Sequence, residues 1–327
     1  MEGEHSKRPR HTKSSVQRCR SPTPPSRSPS PPPNPTHGGV VCSGPIQVAK
    51  LEAFLQCTHT IQKFAHVTSL CEMHIYNQVH PLFRNNGWEG FLRVHELSYK
   101  IPIAEFLSSL YLDHGVLHFR LMNHDHALSL DQINAIVGAP TENTFSPNDP
   151  LPGYSELTWW NYLTHQHPYV SSSTKASSLI HLVMKVAHRI IASLVVPKEQ
   201  RSTISVLELK ILYVMAHPYN NLVPHYGSFL CNKLTRLNTS WSEKIYCGGI
   251  VSLFAKSASV RAPYPEIHQA LPGEPFLTMA ALESMRMFWT EDGNHNCTMG
   301  QNHHPKAPHH SQNRSILALR RPTNFTN

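Results

Sequence analysis

VLHFRLMNHDHALSLDQINAIVGAP, residues 116–140, contains the clearest local pattern of the chain. Polar and apolar residues alternate from Val116 to Leu121, which is the period of a strand with one buried face. Asn123-His124-Asp125 has the residue types of a tight turn. A return strand is predicted to begin at Ala127. The first half of the stretch therefore predicts a small β-hairpin.

The second half of the stretch predicts a short helix. Ser129 and Gln132 have the S-x-x-Q spacing of a capping box, in which each side chain bonds the other residue's backbone N–H. Gly138 and Pro140 are residue types that end a helix and prevent its continuation. A second capping box, with Ser205 and Glu208, predicts another helix start.

Apolar residues recur at helical spacing elsewhere, and the whole pattern predicts about ten helices. The first is a long helix or helix pair from Ile46 to Gln78, which His80-Pro81 breaks. Gly248-Gly249 lies inside one predicted helix and indicates a place where helices approach closely, since glycine otherwise destabilises a helix. The other predicted helices are 91–97, 103–112, 156–163, 174–196, one from Ser205 that His217-Pro218 closes, 223–237, 245–254 and 278–289.

Both ends of the chain differ in composition from its middle. Residues 1–45 are rich in Ser, Pro and Arg and cannot bury enough apolar surface to offset the entropy of ordering. Residues 291–327 are rich in His and show no periodicity. The predicted fold is therefore mainly α. It is a single multi-helix domain, residues 46–290, with one small β-hairpin and a disordered tail on each side.

Positive charge is concentrated in the tails. The 327-residue chain holds 29 basic and 21 acidic residues, and removal of 1–27 and 291–327 leaves 18 and 17. Attraction to RNA or DNA is therefore expected in the tails rather than in the nearly neutral middle. The candidate nucleic-acid contacts are Lys7, Arg8, Arg10, Lys13, Arg18, Arg20 and Arg27.

Cysteine use and hydropathy predict an intracellular location, in nucleus or cytoplasm. The seven cysteines are odd in number and form no C-x-x-C pair, which favours reduced thiols. The N-terminal segment is charged and Pro-rich, unlike a secretory signal. The most apolar helix, 179–196, is interrupted by charged residues and is not expected to span a membrane.

A search for catalytic and metal-binding motifs predicts neither an enzyme nor a cofactor, and no small-molecule substrate. P-loop, dinucleotide-binding, hydrolase and zinc-protease signatures are absent from the sequence, as are retroviral-type protease and reverse-transcriptase motifs. Nothing in the sequence favours one Cys–His or Ser–His pair over the others as a catalytic pair. The metal-ligand candidates are His124 with His126, His165 with His167, and Cys297 with His303, His304, His309 and His310.

None of these groups is predicted to be a metal site. The first pair lies in the predicted turn, where polar residues are expected, and the third group lacks a second cysteine. Trp159, Trp160 and Tyr162 could stack on bases, but no Arg or Lys lies between Arg120 and Lys175. Packing in the core is the favoured interpretation of these aromatic residues.

Three segments resemble the protein of the first open reading frame of plant Athila-type retrotransposons, and the related putative plant transposon and plant mobile domains. They are YKIPIAEFLSSLYLDHGVLHFRLMNHDHALSLDQINAIVGAP (99–140), TKASSLIHLVMKVAHRIIASLVVPKEQRSTISVLELKILYVMAHP (174–218) and EKIYCGGIVSLFAKSASV (243–260). The resemblance extends from about Phe91 to Trp289. It implies a protein of the capsid-precursor region and supplies no catalytic residues.

The combined interpretation is a non-enzymatic, element-derived protein whose helical domain self-associates or docks partners and whose basic tails bind RNA or DNA weakly. Two alternatives remain open. One is a domesticated scaffold or regulatory protein without nucleic-acid binding. The other is a degenerate open reading frame, which would have no reason to keep a cooperative core.

Overall fold

The computed structural model describes residues 36–37, 39–165, 167–170, 174–198, 202–218, 221–239, 244–259, 269–285, 288–291 and 294–297. Within these ranges lie eleven α-helices: α1 Pro45–Gln56, α2 Val67–Glu72, α3 Tyr76–Arg84, α4 Lys100–Ser109, α5 Leu130–Ile136, α6 Glu156–Thr164, α7 Leu182–Leu194, α8 Val206–Ala216, α9 Tyr226–Thr239, α10 Gly248–Ser257 and α11 Met279–Ser284. Short 3₁₀ helices cover Glu89–Leu92 and Ala176–Ser178.

The strands in the same ranges are short: β1 Thr36–His37, β2 Val40–Val41, β3 Thr58–His59, β4 Phe64–Ala65, β5 Tyr111–Asp113, β6 Val116–Leu121, β7 His124–Ser129, β8 Thr144–Phe145, β9 Val223–Pro224, β10 Lys244–Ile245, β11 Phe276–Leu277, β12 Phe288–Glu291 and β13 Asn294–Cys297. The predicted mainly helical fold is confirmed. The prediction of one small hairpin is wrong, because several small sheets form.

The additional sheets could not be predicted from the sequence, for a physical reason. Strands β3, β4 and β8 have two residues each and pair in parallel with β10, β11 and β9, which lie far along the chain. Two residues are too few to show the period of a strand. Even the predicted hairpin has a third strand, β5, which pairs antiparallel with β6 at residues assigned to a helix end.

The hairpin turn lies one residue earlier than predicted. Met122 and Asn123 both have positive φ, 54° and 66°, so they form the two-residue turn and β7 begins at His124 rather than Ala127. The buried carboxylate of Glu105 in α4 accepts from the backbone N–H groups of both turn residues, at 2.8 and 2.7 Å. The turn is thereby attached to the helix beneath it.

The same turn region also holds strand β2. The Asn123 side chain accepts from Val41 N–H at 2.6 Å and donates to the Gly39 carbonyl at 3.1 Å, while Arg120 donates to the Val41 carbonyl at 2.9 Å. Val40 and Cys42 are buried. The structure thus includes residues that the sequence assigned to the disordered tail. The predicted domain boundaries at 45 and 290 themselves stay predictions.

Several helix boundaries differ from the predictions. The segment 46–78 contains α1, α2 and part of α3 rather than one helix or a pair, and Pro81 lies inside α3 instead of breaking it. The helix predicted at 103–112 ends at Ser109 and gives way to β5. The helix predicted at 278–289 ends at Ser284, and the strand pair β12–β13 crosses the predicted start of the C-terminal tail.

Helix α7 lies within the core. Ten of its thirteen residues are buried, among them Lys185 and His188, so it is enclosed on most sides rather than along one stripe. Trp159 and Trp160 are buried as predicted. Tyr162 is not, since it is 50% exposed and stacks on Trp159 with ring centroids 5.4 Å apart.

Gly248 and Gly249 do mark a close approach. A Cβ at Gly249 would lie 2.3 Å from Cζ of Phe64, and one at Gly248 would lie 2.5 Å from Cβ of Ser98. However, the two glycines form the first turn of α10 rather than its interior. The expectation of tight packing is confirmed and the position within the helix is corrected.

Candidate functional site: polar clusters around Glu208 and His225

The candidate residues named from the sequence are not brought together by the described structure. The seven basic residues between Lys7 and Arg27 lie outside the described residues, as do His303, His304, His309 and His310. Of Cys297 only the backbone is described, within β13. His124 and His126 lie on β7, and His165 and His167 follow α6. In the part of the chain that the structure describes, no three His, Cys, Asp or Glu side chains are grouped to hold a metal ion.

The second predicted capping box contains Glu208, the most deeply buried charged group among the described residues. Ser205 and Glu208 open α8, and the structure confirms both halves of the box, as it does for Ser129 and Gln132 at α5. Glu208 is fully buried, whereas Gln132 is exposed. One Glu208 carboxylate oxygen, Oε2, accepts from both the N–H and the hydroxyl of Ser205 at 2.7 Å.

Lys198 and His188 complete the surroundings of Glu208. The Lys198 ammonium donates to Oε2 and also to the Thr203 carbonyl. Nε2 of His188, on α7, lies 3.2 Å from Oε1, with neither side chain exposed. Neither of these two atoms has a hydrogen bond of good geometry, so the second contact is a close approach of two buried polar groups. The cluster therefore connects α7, the chain that follows it and α8 through one carboxylate.

The charges in this cluster follow from burial and from the neighbouring groups. Burial alone would raise the pKa of Glu208, but His188 and Lys198 lower it to about 2. Burial lowers the pKa of His188 even though Glu208 opposes this effect. Near neutral pH the cluster is therefore a carboxylate, a neutral imidazole and an ammonium group. With no exposed surface on Glu208 or His188, this pair contributes to packing and is closed to a substrate.

Acid is expected to destabilise the fold through this cluster. Glu208 has a folded pKa of about 2 against an ordinary 4.5, and the folded pKa of His188 is also lowered, so the unfolded chain binds more protons as pH falls. We expect Glu208→Gln to be destabilising at pH 7 and this difference to shrink by on the order of 2 kcal/mol by about pH 3. Urea unfolding of both proteins across this range measures it, and a pH-independent difference would contradict the assignment.

Asp131, His225 and Ser228 form a second cluster with the composition of a hydrolase triad. Nε2 of His225 lies 3.0 Å from Oδ1 of Asp131, and its Nδ1 lies 3.1 Å from Oγ of Ser228. His225 is largely buried, while the Asp131 side chain is 70% exposed. Sequence reasoning missed this group because 94 residues separate Asp131 from His225.

The hydrogen bonds of this cluster identify it as a helix cap. Nδ1 of His225 also accepts from the backbone N–H of Ser228 at 3.2 Å, in the first turn of α9. His66 and Ser69 repeat the arrangement at α2, with Nδ1 3.3 Å from Ser69 N and 2.8 Å from its Oγ. The adjacent Gly227 N–H already donates to Asn134. The imidazole therefore satisfies helix amides, as N-cap side chains do, and H-x-x-S was the available sequence signal.

The fold and its two polar clusters define a mainly helical protein whose buried ionisable groups hold helices together. A family model, the ATHILA ORF-1 family, matches residues 50–216, just over half of the chain. The chain belongs to this family and is an Athila-type retrotransposon first-open-reading-frame protein. This confirms the resemblance, although the matched range begins and ends earlier than 91–289.

Comparison of the chain with curated proteins and with solved structures gives no match. In the described part of the chain, no helix combines the length and apolarity needed to cross a membrane.

Proposed function

We propose that this family member is a non-enzymatic structural protein of its retrotransposon and that it binds RNA or DNA through the basic segment of residues 1–27. The observation that carries the proposal is the distribution of charge. Seven basic and two acidic residues lie in this segment, against 18 and 17 in residues 28–290. Phosphate backbones attract such a segment without regard to sequence.

The two polar clusters are consistent with a folded part that serves as a scaffold and a basic segment that binds nucleic acid. Glu208, His188 and Lys198 are occupied with one another, and His225 is occupied with the first turn of α9. These groups support packing, so the folded part would serve as a scaffold on which the basic segment is carried. Self-association, also expected from the sequence, stays a prediction.

Replacement of all seven basic residues between Lys7 and Arg27 by Gln in the full chain is expected to weaken RNA binding at least about a hundredfold at low salt, because the main source of counterion release is removed. Fluorescence anisotropy with a labelled single-stranded RNA measures this. The matched control replaces the four basic residues of the other tail, Lys306, Arg314, Arg320 and Arg321, by Gln. Equal losses in both variants, or no loss in the first, would contradict the proposal.

A further inference from the structure

Five aromatic rings lie together between α6 and α8. The Trp159 ring on α6 stacks on that of Tyr162, with ring centroids 5.4 Å apart. The same indole meets the rings of Tyr213 on α8 and of His217, which follows α8, edge to face at 5.5 and 5.2 Å. Tyr213 in turn contacts His217 at 4.3 Å and Tyr154, which precedes α6, at 5.2 Å. We call these five rings the aromatic surface.

The aromatic surface is open to solvent on its outer side. Tyr162 is 50% exposed, and Tyr154, Tyr213 and His217 are half-buried, whereas Trp159 is buried among them. A tyrosine ring that is held by stacking offers a large contact area to a partner at little cost in side-chain entropy. The outer side of this surface therefore has the properties of a docking site.

Two hydrogen-bond donors at the aromatic surface have no acceptor. The indole N–H of Trp159 and the hydroxyl of Tyr154 are buried and unpaired among the described residues. An indole nitrogen only donates, and a phenol hydroxyl donates readily. Because an unpaired buried donor is costly, the ligand that suits this surface supplies carbonyl oxygens together with apolar area.

Nucleic-acid bases suit the aromatic surface poorly. Stacking on bases is accompanied by cations that follow the phosphate backbone. No Arg or Lys lies between Arg120 and Lys175 in the sequence. Lys210 on α8 donates to the backbone carbonyls of Pro147 and Asp149. A ligand without phosphate groups is therefore favoured.

A proline-rich segment supplies what the aromatic surface lacks. In the polyproline II conformation the backbone carbonyls make no internal hydrogen bonds, and proline adds no N–H that would compete for them. Such segments dock on aromatic side chains, and their preformed conformation lowers the entropy lost on binding. Rings and donors of the kind gathered around Trp159 are what this recognition requires.

This chain carries a segment of that composition. Residues 22–35, PTPPSRSPSPPPNP, contain eight prolines in fourteen residues, with Arg27 as their only charged residue. The P-x-x-P spacing occurs three times, at 22–25, 29–32 and 32–35. Every copy of the protein therefore has both an aromatic surface and a segment of the chemistry that fits it.

We propose that the aromatic surface of one copy binds the proline-rich segment, residues 22–35, of a second copy. The surface and the segment are different parts of the chain, so the contact is head-to-tail. This contact gives a site to the self-association expected from the sequence. It does not depend on nucleic-acid binding by residues 1–27.

Two variants of the full chain separate the two halves of the contact. Tyr162→Ala keeps the segment and loses the outer ring of the surface, whereas replacement of all eight prolines of residues 22–35 by Ala keeps the surface and loses the segment. Sedimentation velocity of nuclease-treated protein, in salt that screens charged contacts, measures the association constant. Each variant alone is expected to associate at least about tenfold more weakly than the wild type, the loss of one aromatic hot-spot contact.

A mixture of the two variants tests whether the contact forms between copies. Each variant lacks what the other retains. An equimolar mixture is therefore expected to form a heterodimer at a concentration at which neither variant associates alone. Failure of the mixture to pair would overturn the proposal that the segment comes from a second copy.

Tyr111→Ala is the matched control. Tyr111, on β5, is 55% exposed and stacks on His118 with ring centroids 4.7 Å apart, so the substitution removes an exposed, stacked tyrosine elsewhere. Both tyrosine variants are expected to keep the wild-type Tm, and Tyr111→Ala should associate as the wild type does. Equal weakening in the two variants, or a wild-type chain that stays monomeric, would overturn the proposed site.

These outcomes are separate from the test of RNA binding. All seven basic residues between Lys7 and Arg27 remain in each of these variants. RNA binding measured by fluorescence anisotropy should therefore be unchanged in them, so failure of the docking proposal is distinguishable from failure of the proposed function.

Discussion

Glu208→Leu is expected to lower the free energy of unfolding by about 3–5 kcal/mol, the range found when one partner of a buried ion pair is removed. The substitution leaves the Lys198 ammonium without its carboxylate and the backbone N–H of Ser205 without its acceptor. It also removes the only negative charge identified beside Arg189 and Lys198 among the described residues. The leucine side chain fills the volume but satisfies none of these donors.

The second capping box supplies a matched control. Gln132 occupies in α5 the position that Glu208 occupies in α8, but it is exposed and neutral. Gln132→Leu therefore loses only a solvent-exposed cap contact, and we expect a cost below about 1 kcal/mol. Chemical denaturation of both variants at pH 7 measures the contrast. Equal costs would show that Glu208 acts as an ordinary cap and that its buried ion pair contributes nothing.

Gly227→Ala is expected to cost about 3 kcal/mol, because α9 approaches the backbone of α5 too closely for any side chain. A Cβ at Gly227 would lie 2.4 Å from the carbonyl oxygen of Leu130 and 3.1 Å from its Cα. Backbone atoms cannot move aside by changing rotamer, so α9 would have to shift. The shift would strain the buried 2.7 Å hydrogen bond from Gly227 N–H to Asn134, which is costly to leave unmade.

Gly44→Ala is the control for a glycine-to-alanine substitution that creates no steric clash. Gly44 has an extended φ of 170°, and a Cβ there would meet nothing within 4 Å. It precedes α1, where glycine is a modestly better cap than alanine, so a cost below about 1 kcal/mol is expected. Differential scanning calorimetry of the two variants measures the difference in their stability. A Gly227→Ala protein as stable as Gly44→Ala would mean that α5 and α9 are farther apart than described.

Structural features that depend on neighbouring residues could be predicted from the sequence, whereas features that depend on contacts between distant residues could not. Both capping boxes and the strand Val116–Leu121 were predictable, because each is defined within a few residues. The pairing of Thr58–His59 with Lys244–Ile245 was not, since two-residue strands have no visible period and their partners are fixed by packing.

The polar clusters show the same contrast between local sequence signals and contacts of distant residues. The S-x-x-E pattern identified Glu208 as a cap but did not indicate its burial, which depends on the packing of α7 against α8. His188 and Lys198, its partners, are twenty and ten residues away. Similarly, H-x-x-S before α9 could have predicted a cap at His225, whereas the contact with Asp131 arises only from the approach of α5 and α9.

The salt dependence of RNA binding by the full chain tests the central functional claim most directly. If the seven cations of residues 1–27 make the contacts with single-stranded RNA, log Kobs should fall against log salt with a slope of up to about −5, and the seven-Gln variant should give a slope near zero. The wild-type slope counts the phosphates that are neutralised. A slope near zero for the wild-type chain, or an equal slope for both proteins, would contradict nucleic-acid binding through the basic segment.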